Sequence, residues 1–136
     1  MTIFLSLAAL AAMTTASACA ASGGASAARL IGAEWAVEDI NGGGVIDNSR
    51  ATLGFGEDGR IAGRASCNTY SAPYSLTRAG LTIGPAAVTR KACAPALMDQ
   101  EQKFLAALAG ASAFSIDDTG ALILTTPDGK RILARR

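Results

Sequence analysis

The chain has 136 residues, enough for one domain rather than two. Hydrophobic residues make up 50% and charged residues only 17%, and the net charge of +1 argues against a nucleic-acid binder, which needs a basic face to displace counterions. Histidine is absent, which excludes His-based general base catalysis, Ser-His-Asp and Cys-His nucleophile systems, and nearly all zinc sites of ordinary ligand type.

The chain opens with an apolar run from Ile3 to Met13, followed by small residues ending in Ala16-Ser17-Ala18-Cys19. The run is about half the ~20 residues needed to cross a bilayer, so residues 1–18 read as a secretory signal peptide. Two processing routes stay open. Ala16-Ser17-Ala18 suits ordinary signal peptidase and a soluble periplasmic product. Small-small-Cys resembles a bacterial lipobox, in which Cys19 would carry the lipid, although Ala16 stands where a lipobox usually has Leu. Residues 19–29, rich in Ala, Ser and Gly, then form a flexible tether. Of the three cysteines, lipidation of Cys19 leaves Cys67 and Cys93, an even number suited to one disulfide outside the cytoplasm. The expected location is the bacterial cell envelope, periplasmic or anchored in the outer membrane.

From Leu30 to Arg136 the pattern is of short strands and tight turns. Residues 33–40 alternate apolar and polar after Trp35. The Asn41–Gly44 stretch breaks the strand. Residues 51–55 place Leu53 and Phe55 on one face, and the Asp58-Gly59 pair makes a hairpin turn into a strand at 60–66. Strand, turn and strand follow at 74–76, 79–80 and 81–84, then an extended segment at 85–93. Residues 94–110 carry Leu97, Phe104, Leu105 and Leu108 as a helical apolar stripe, with Pro95 in the first turn and Gly110 as a stop. On this helix Asp99 and Glu101 suit dipole and surface roles, since i and i+2 do not face each other. Strands at 113–117, 121–126 and 130–136 close the domain. So many strands in a short chain must curl to hide their edges. The expected fold is mainly β (α+β): a small antiparallel β-barrel or strongly curved sheet with one packed α-helix.

Several ordered motifs carry a resemblance: "FGEDGRIAGRASCNTYSAPYSL", "LTIGPAAVTRKAC", "MDQEQKFLAAL" and "LILTTPDGKRILAR". Together, from about Trp35 to about Leu133, they resemble the META domain family of the heat-shock protein HslJ type. The sequence departs from that pattern at Ser66, where the family often has Gly before Cys-Asn, and at Lys91, where Met is frequent. The resemblance implies a small lipocalin-like barrel with a helix, often secreted, periplasmic or lipid-anchored in bacteria. Some members are linked to heat shock or to tolerance of an aminocoumarin antibiotic. It implies no reaction.

Cys67 and Cys93 admit three readings: a disulfide, structural free thiols or a reactive thiol. The disulfide is favoured, because no His activates either thiol and neither sits in C-x-x-C. Asn68, Tyr70 and Tyr74 suit backbone bonding and packing. If the domain holds a ligand, Asn68, Tyr70 and Arg90 are the candidate ligand-binding side chains. Arg90, Lys91, Lys130, Arg131, Arg135 and Arg136 read as solvated faces, with the C-terminal group able to touch anionic lipid headgroups if Cys19 is anchored nearby. No catalytic residue, metal site or cofactor is expected. The expected function is non-enzymatic: an envelope protein acting in stress or antibiotic tolerance through an unknown envelope protein or small ligand. Alternatives are a lipocalin-type small-molecule carrier and a protease inhibitor or assembly adaptor.

Overall fold

The computed structural model describes residues 27–136. The expected signal peptide, Cys19 and most of the tether lie outside the described residues. One helical turn at 27–30 leads into nine strands and one long helix: β1 (Glu34–Ile40), β2 (Thr52–Phe55), β3 (Arg60–Arg64), β4 (Thr69–Thr77), β5 (Gly80–Ile83), β6 (Ala87–Val88), α1 (Pro95–Gly110), β7 (Ala113–Ile116), β8 (Leu122–Thr125) and β9 (Arg131–Arg135).

All strand pairs are antiparallel, in the order β5-β4-β3-β2-β1-β9-β8-β7, and β6 also pairs with β4. The sheet curls until its two ends meet. The Leu81 N–H of β5 donates to the carbonyl of Ser112, just before β7, at 3.0 Å. The result is a nearly closed barrel, which removes most of the unpaired edge. Gly80 permits this closure. Its φ is +129°, and a Cβ there would lie 2.2 Å from the Ser112 carbonyl oxygen.

Alternation explains most of the core. Trp35, Val37, Leu53, Phe55, Ile61, Leu122, Leu124, Ile132 and Ala134 all point inward. A register shift between Val37 and Asp39 lets Ile40 turn inward while Asp39 stays half-buried. Helix α1 packs on β1, β5, β8 and β9. Its fully inward face is Gln100, Glu101, Phe104, Ala107 and Leu108, whereas Leu97 and Leu105 are only half-buried. Glu101 therefore does not take the surface role its charge suggests. Gly110 is the last helical residue, and Ala111 behind it has an ordinary negative φ, so the stop is not a left-handed glycine cap. A Cβ on Gly110 would press the Thr126 methyl at 3.2 Å.

Candidate functional site

Between β3 and β4 the chain leaves the ladder and must find other partners for its backbone. Ser66 takes φ +87°, a conformation that glycine adopts most cheaply. That accounts for the glycine usual here in the resembling pattern. Ser66 is held by its N–H to the Arg50 carbonyl at 3.0 Å, and its Oγ accepts from Gln100 Nε2 at 3.1 Å. Cys67, next in line, is joined to Cys93 by a disulfide with Cα atoms 6.0 Å apart, tying this turn to the segment that enters α1.

Asn68, 2% exposed, spends its whole hydrogen-bonding capacity inside the protein. Its backbone N–H donates to Glu101 Oε1 at 2.6 Å, and its Nδ2 donates to Glu101 Oε2 at 2.8 Å and to the Lys91 carbonyl at 3.3 Å. Its Oδ1 accepts the Lys91 N–H at 2.6 Å and the Thr89 hydroxyl at 2.9 Å. Glu101, 4% exposed, thus has both oxygens occupied by one asparagine and has no Lys or Arg within ion-pair distance among the described residues. A buried carboxylate is tolerated only when such donors replace water. With both oxygens so held, it is poorly placed to act on a substrate proton.

Tyr70 is also turned inward. Its hydroxyl donates to the Thr52 carbonyl at 2.7 Å, and its ring meets Phe104 edge-on at 5.6 Å. Burial pushes the phenol pKa well above its ordinary value, which keeps it a donor. Tyr74 does the same from a half-buried position, donating to the Gly56 carbonyl at 2.5 Å; burial and then Asp58 and Glu57 raise its pKa. Arg90 is exposed and forms no ion pair among the described residues. The structure therefore brings Asn68 together with Thr89, Lys91 and Glu101, places Tyr70 in the core, and leaves Arg90 at the surface.

Two clefts lie beside the loop of residues 41–50. Asp39 accepts the N–H groups of Gly42 and Gly44, both at 2.8 Å. Gln100, buried on α1, accepts the Ile46 N–H at 2.7 Å and donates to Ser49 Oγ at 2.9 Å. These bonds pin the loop across the helix. One cleft of about 300 Å³ opens between them, lined by Ile40, Val45, Ile46, Ala96 and Lys103. A second, of about 420 Å³, is lined by Ile46, Asn48, Arg50, Arg64, Ser66 and Leu97. Ile46 and Ala96 line both clefts, and Ile46 is 38% exposed, a large apolar side chain open to solvent. The arrangement offers an apolar ridge flanked by polar walls, suited to holding a ligand or partner segment. Within the barrel, by contrast, Trp35, Phe55, Leu53, Ile61 and Phe104 fill the space, each no more than 1% exposed.

Sequence reasoning did not reach Ile46 or Gln100, and it gave Glu101 a surface role. A signal for the two polar residues was present: they fall at i+3 and i+4 from Leu97, on the stripe that continues to Phe104 and Leu108. For the loop, the apolar Val45-Ile46 pair inside a Gly- and Asn-rich break was the available sign.

The META domain family matches residues 28–136. No match is found among curated proteins. Among solved structures, a protein from Burkholderia xenovorans determined by NMR is similar, with TM-score 0.65 and 22% identity over 81% of this chain and 86% of that one. A second protein determined by NMR has TM-score 0.59 and 26% identity, covering 74% of this chain and 86% of its own.

Proposed function

The chain belongs to the META domain family, and from that premise we propose that it is a non-enzymatic envelope protein of the HslJ type, anchored through a lipid on Cys19, that serves stress or antibiotic tolerance by binding a partner or ligand. The observation that carries the binding role is the pair of clefts meeting at exposed Ile46, beside a helix whose buried carboxylate is fully engaged. The disulfide between Cys67 and Cys93 supports an oxidising compartment. A lipocalin-type carrier is less well supported, because aromatic and aliphatic side chains fill the barrel.

Two measurements test this reading. The intact mass of the protein from a bacterial host should begin at acylated Cys19, with Cys67 and Cys93 alkylated only after reduction. An unlipidated chain with a freely alkylated thiol overturns the anchored, oxidised reading. Ile46→Asp should abolish rescue of a stress-sensitive deletion strain while leaving abundance and denaturation midpoint unchanged; full rescue removes the clefts from the function.

A further inference from the structure

The cations of this chain fall into two sets. Arg50, Lys103, Lys130, Arg131 and Arg135 are each within 4.0 Å of a carboxylate. Arg29, Arg60, Arg64, Arg78, Arg90, Lys91 and Arg136 are exposed and have no such partner among the described residues. For most of them the reason lies in the sequence: residues 59–98 contain five cations and no Asp or Glu, so the rest of the chain carries seven cations against eleven carboxylates.

The fold gathers four of the unpaired cations, Arg60, Arg64, Arg90 and Lys91. Arg60 and Arg64 point outward from β3, whose partners across the ladder to β4 are Pro73 and Thr69. On the far side of β4, Ser71 faces Ala87, and the Thr89 N–H bonds to the Thr69 carbonyl at 3.1 Å, which brings Arg90 and Lys91 to the same end as Arg64. With strands about 5 Å apart and residues about 3.3 Å apart along each, the patch is roughly 10 by 13 Å. Beside the cations lies a shallow cleft of about 320 Å³ lined by Thr69, Tyr70, Ser71, Ala87, Val88 and Thr89. Ser71 Oγ accepts from Arg60 Nη2 at 2.8 Å, which leaves its O–H free to donate. At the border, Asp58 Oδ1 accepts the Arg60 N–H at 3.2 Å, and Glu57 sits in the same turn. Beyond it, the outward position of β2 is Gly54.

We propose that the outer face of β3, β4 and β6 is a docking surface for the anionic phosphate headgroups of a lipid bilayer. The guanidinium groups, the Lys91 ammonium and the hydroxyls of Thr69, Ser71 and Thr89 match phosphate oxygens, and no Asp or Glu lies on β3, β4 or β6 to cancel their field. The C-terminal cations, which the sequence alone offered for this role, are mostly neutralised by Asp128, Asp39 and Glu38. This inference needs no acyl chain and stands independently of the anchor at Cys19.

The test uses the full chain carrying Cys19→Ser, so that no lipid contributes. Sedimentation should show binding to vesicles of phosphatidylcholine mixed with phosphatidylglycerol, none to phosphatidylcholine alone, and a steep loss with added salt. Replacing Arg60, Arg64, Arg90 and Lys91 by Gln should weaken binding about fivefold for each cation removed. The control Lys130→Gln, Arg131→Gln, Arg135→Gln should bind as the parent does. Equal binding to both vesicle types, salt-insensitive binding, or equal loss in the control overturns the proposal. So does saturation by inorganic phosphate with no vesicle binding, which would reassign the cleft to a free anion. If the fourfold variant fails to fold, the single variants Arg64→Gln and Arg90→Gln carry the test, each expected to weaken vesicle binding about fivefold, and unchanged binding in both overturns the proposal.

Discussion

The β3–β4 corner and the β7–β8–β9 meander solve the same problem by different chemistry. In the meander every strand pairs in register, Leu122, Leu124, Ile132 and Ala134 alternate inward, and charged groups stay at the surface. Its turns are self-contained: Asp117 accepts the Thr119 and Ala121 N–H groups, and Asp128 takes the Thr126 hydroxyl and the Lys130 ammonium. At the corner the chain quits the ladder, and the buried polar residues Ser66, Asn68, Gln100 and Glu101 take over, reinforced by the Cys67–Cys93 bridge. Regular strands need only a pattern of apolar residues, because the ladder satisfies the backbone. A crossing between strand and helix needs particular side chains at particular positions, and losing one leaves its partner buried and unsatisfied.

The largest expected break in this contrast is the disulfide. Its ends are 26 residues apart, and replacing both Cys67 and Cys93 by Ala should cost about 3.5 kcal/mol on the chain-entropy account. Chemical denaturation of the variant measures it; a loss well under 1 kcal/mol would mean the corner holds itself without the bridge. Next is Glu101→Ala, which strands the backbone N–H and Nδ2 of Asn68 and should cost about 3 kcal/mol, with Glu101→Gln losing about half as much. Because Cys67 and Asn68 are adjacent, the combined variant should lose less than the sum, a coupling that a double-mutant cycle reads directly. Purely additive losses would separate the bridge from the polar lock.

The smallest effect belongs to the meander. Hydrogen bonds from Lys130 and then Thr126 hold the Asp128 pKa down at about 2. A carboxylate with a lowered folded-state pKa stabilises above its unfolded value and loses that contribution as pH falls. The window therefore runs from about pH 4 to about pH 2. Asp128→Asn should flatten the acid limb of the melting temperature in that window and change little at neutral pH. An unchanged acid limb would show that this exposed turn contributes nothing measurable.

Much of the fold was legible because periodicity reports it. The expected segments at 51–55, 81–84, 113–117, 121–126 and 130–136 overlay β2, β5, β7, β8 and β9, and the helix expected over 94–110 is α1 at Pro95–Gly110. β4 was read only at 74–76 but begins at Thr69, since polar Thr69 and Ser71 and the outward Pro73 mask the inward Tyr70 and Ala72. The candidate site was legible only in part. Asn68 was singled out by its place beside a cysteine, but its partner lies 33 residues away on another element.

What the chain determines locally is therefore the set of strands, the helix, the turn chemistry at Asp58-Gly59 and Asp128-Gly129, and the cation-rich stretch of residues 59–98. These depend on period, backbone freedom and composition, which are properties of neighbours along the chain. Tertiary structure alone decided that the sheet closes at Gly80 against Ser112, that Glu101 turns inward to Asn68, and which cations find carboxylates and which remain free. Those outcomes rest on contacts between residues distant in sequence, where burial sets the cost of every unpaired polar group and proximity sets the gain of every paired charge.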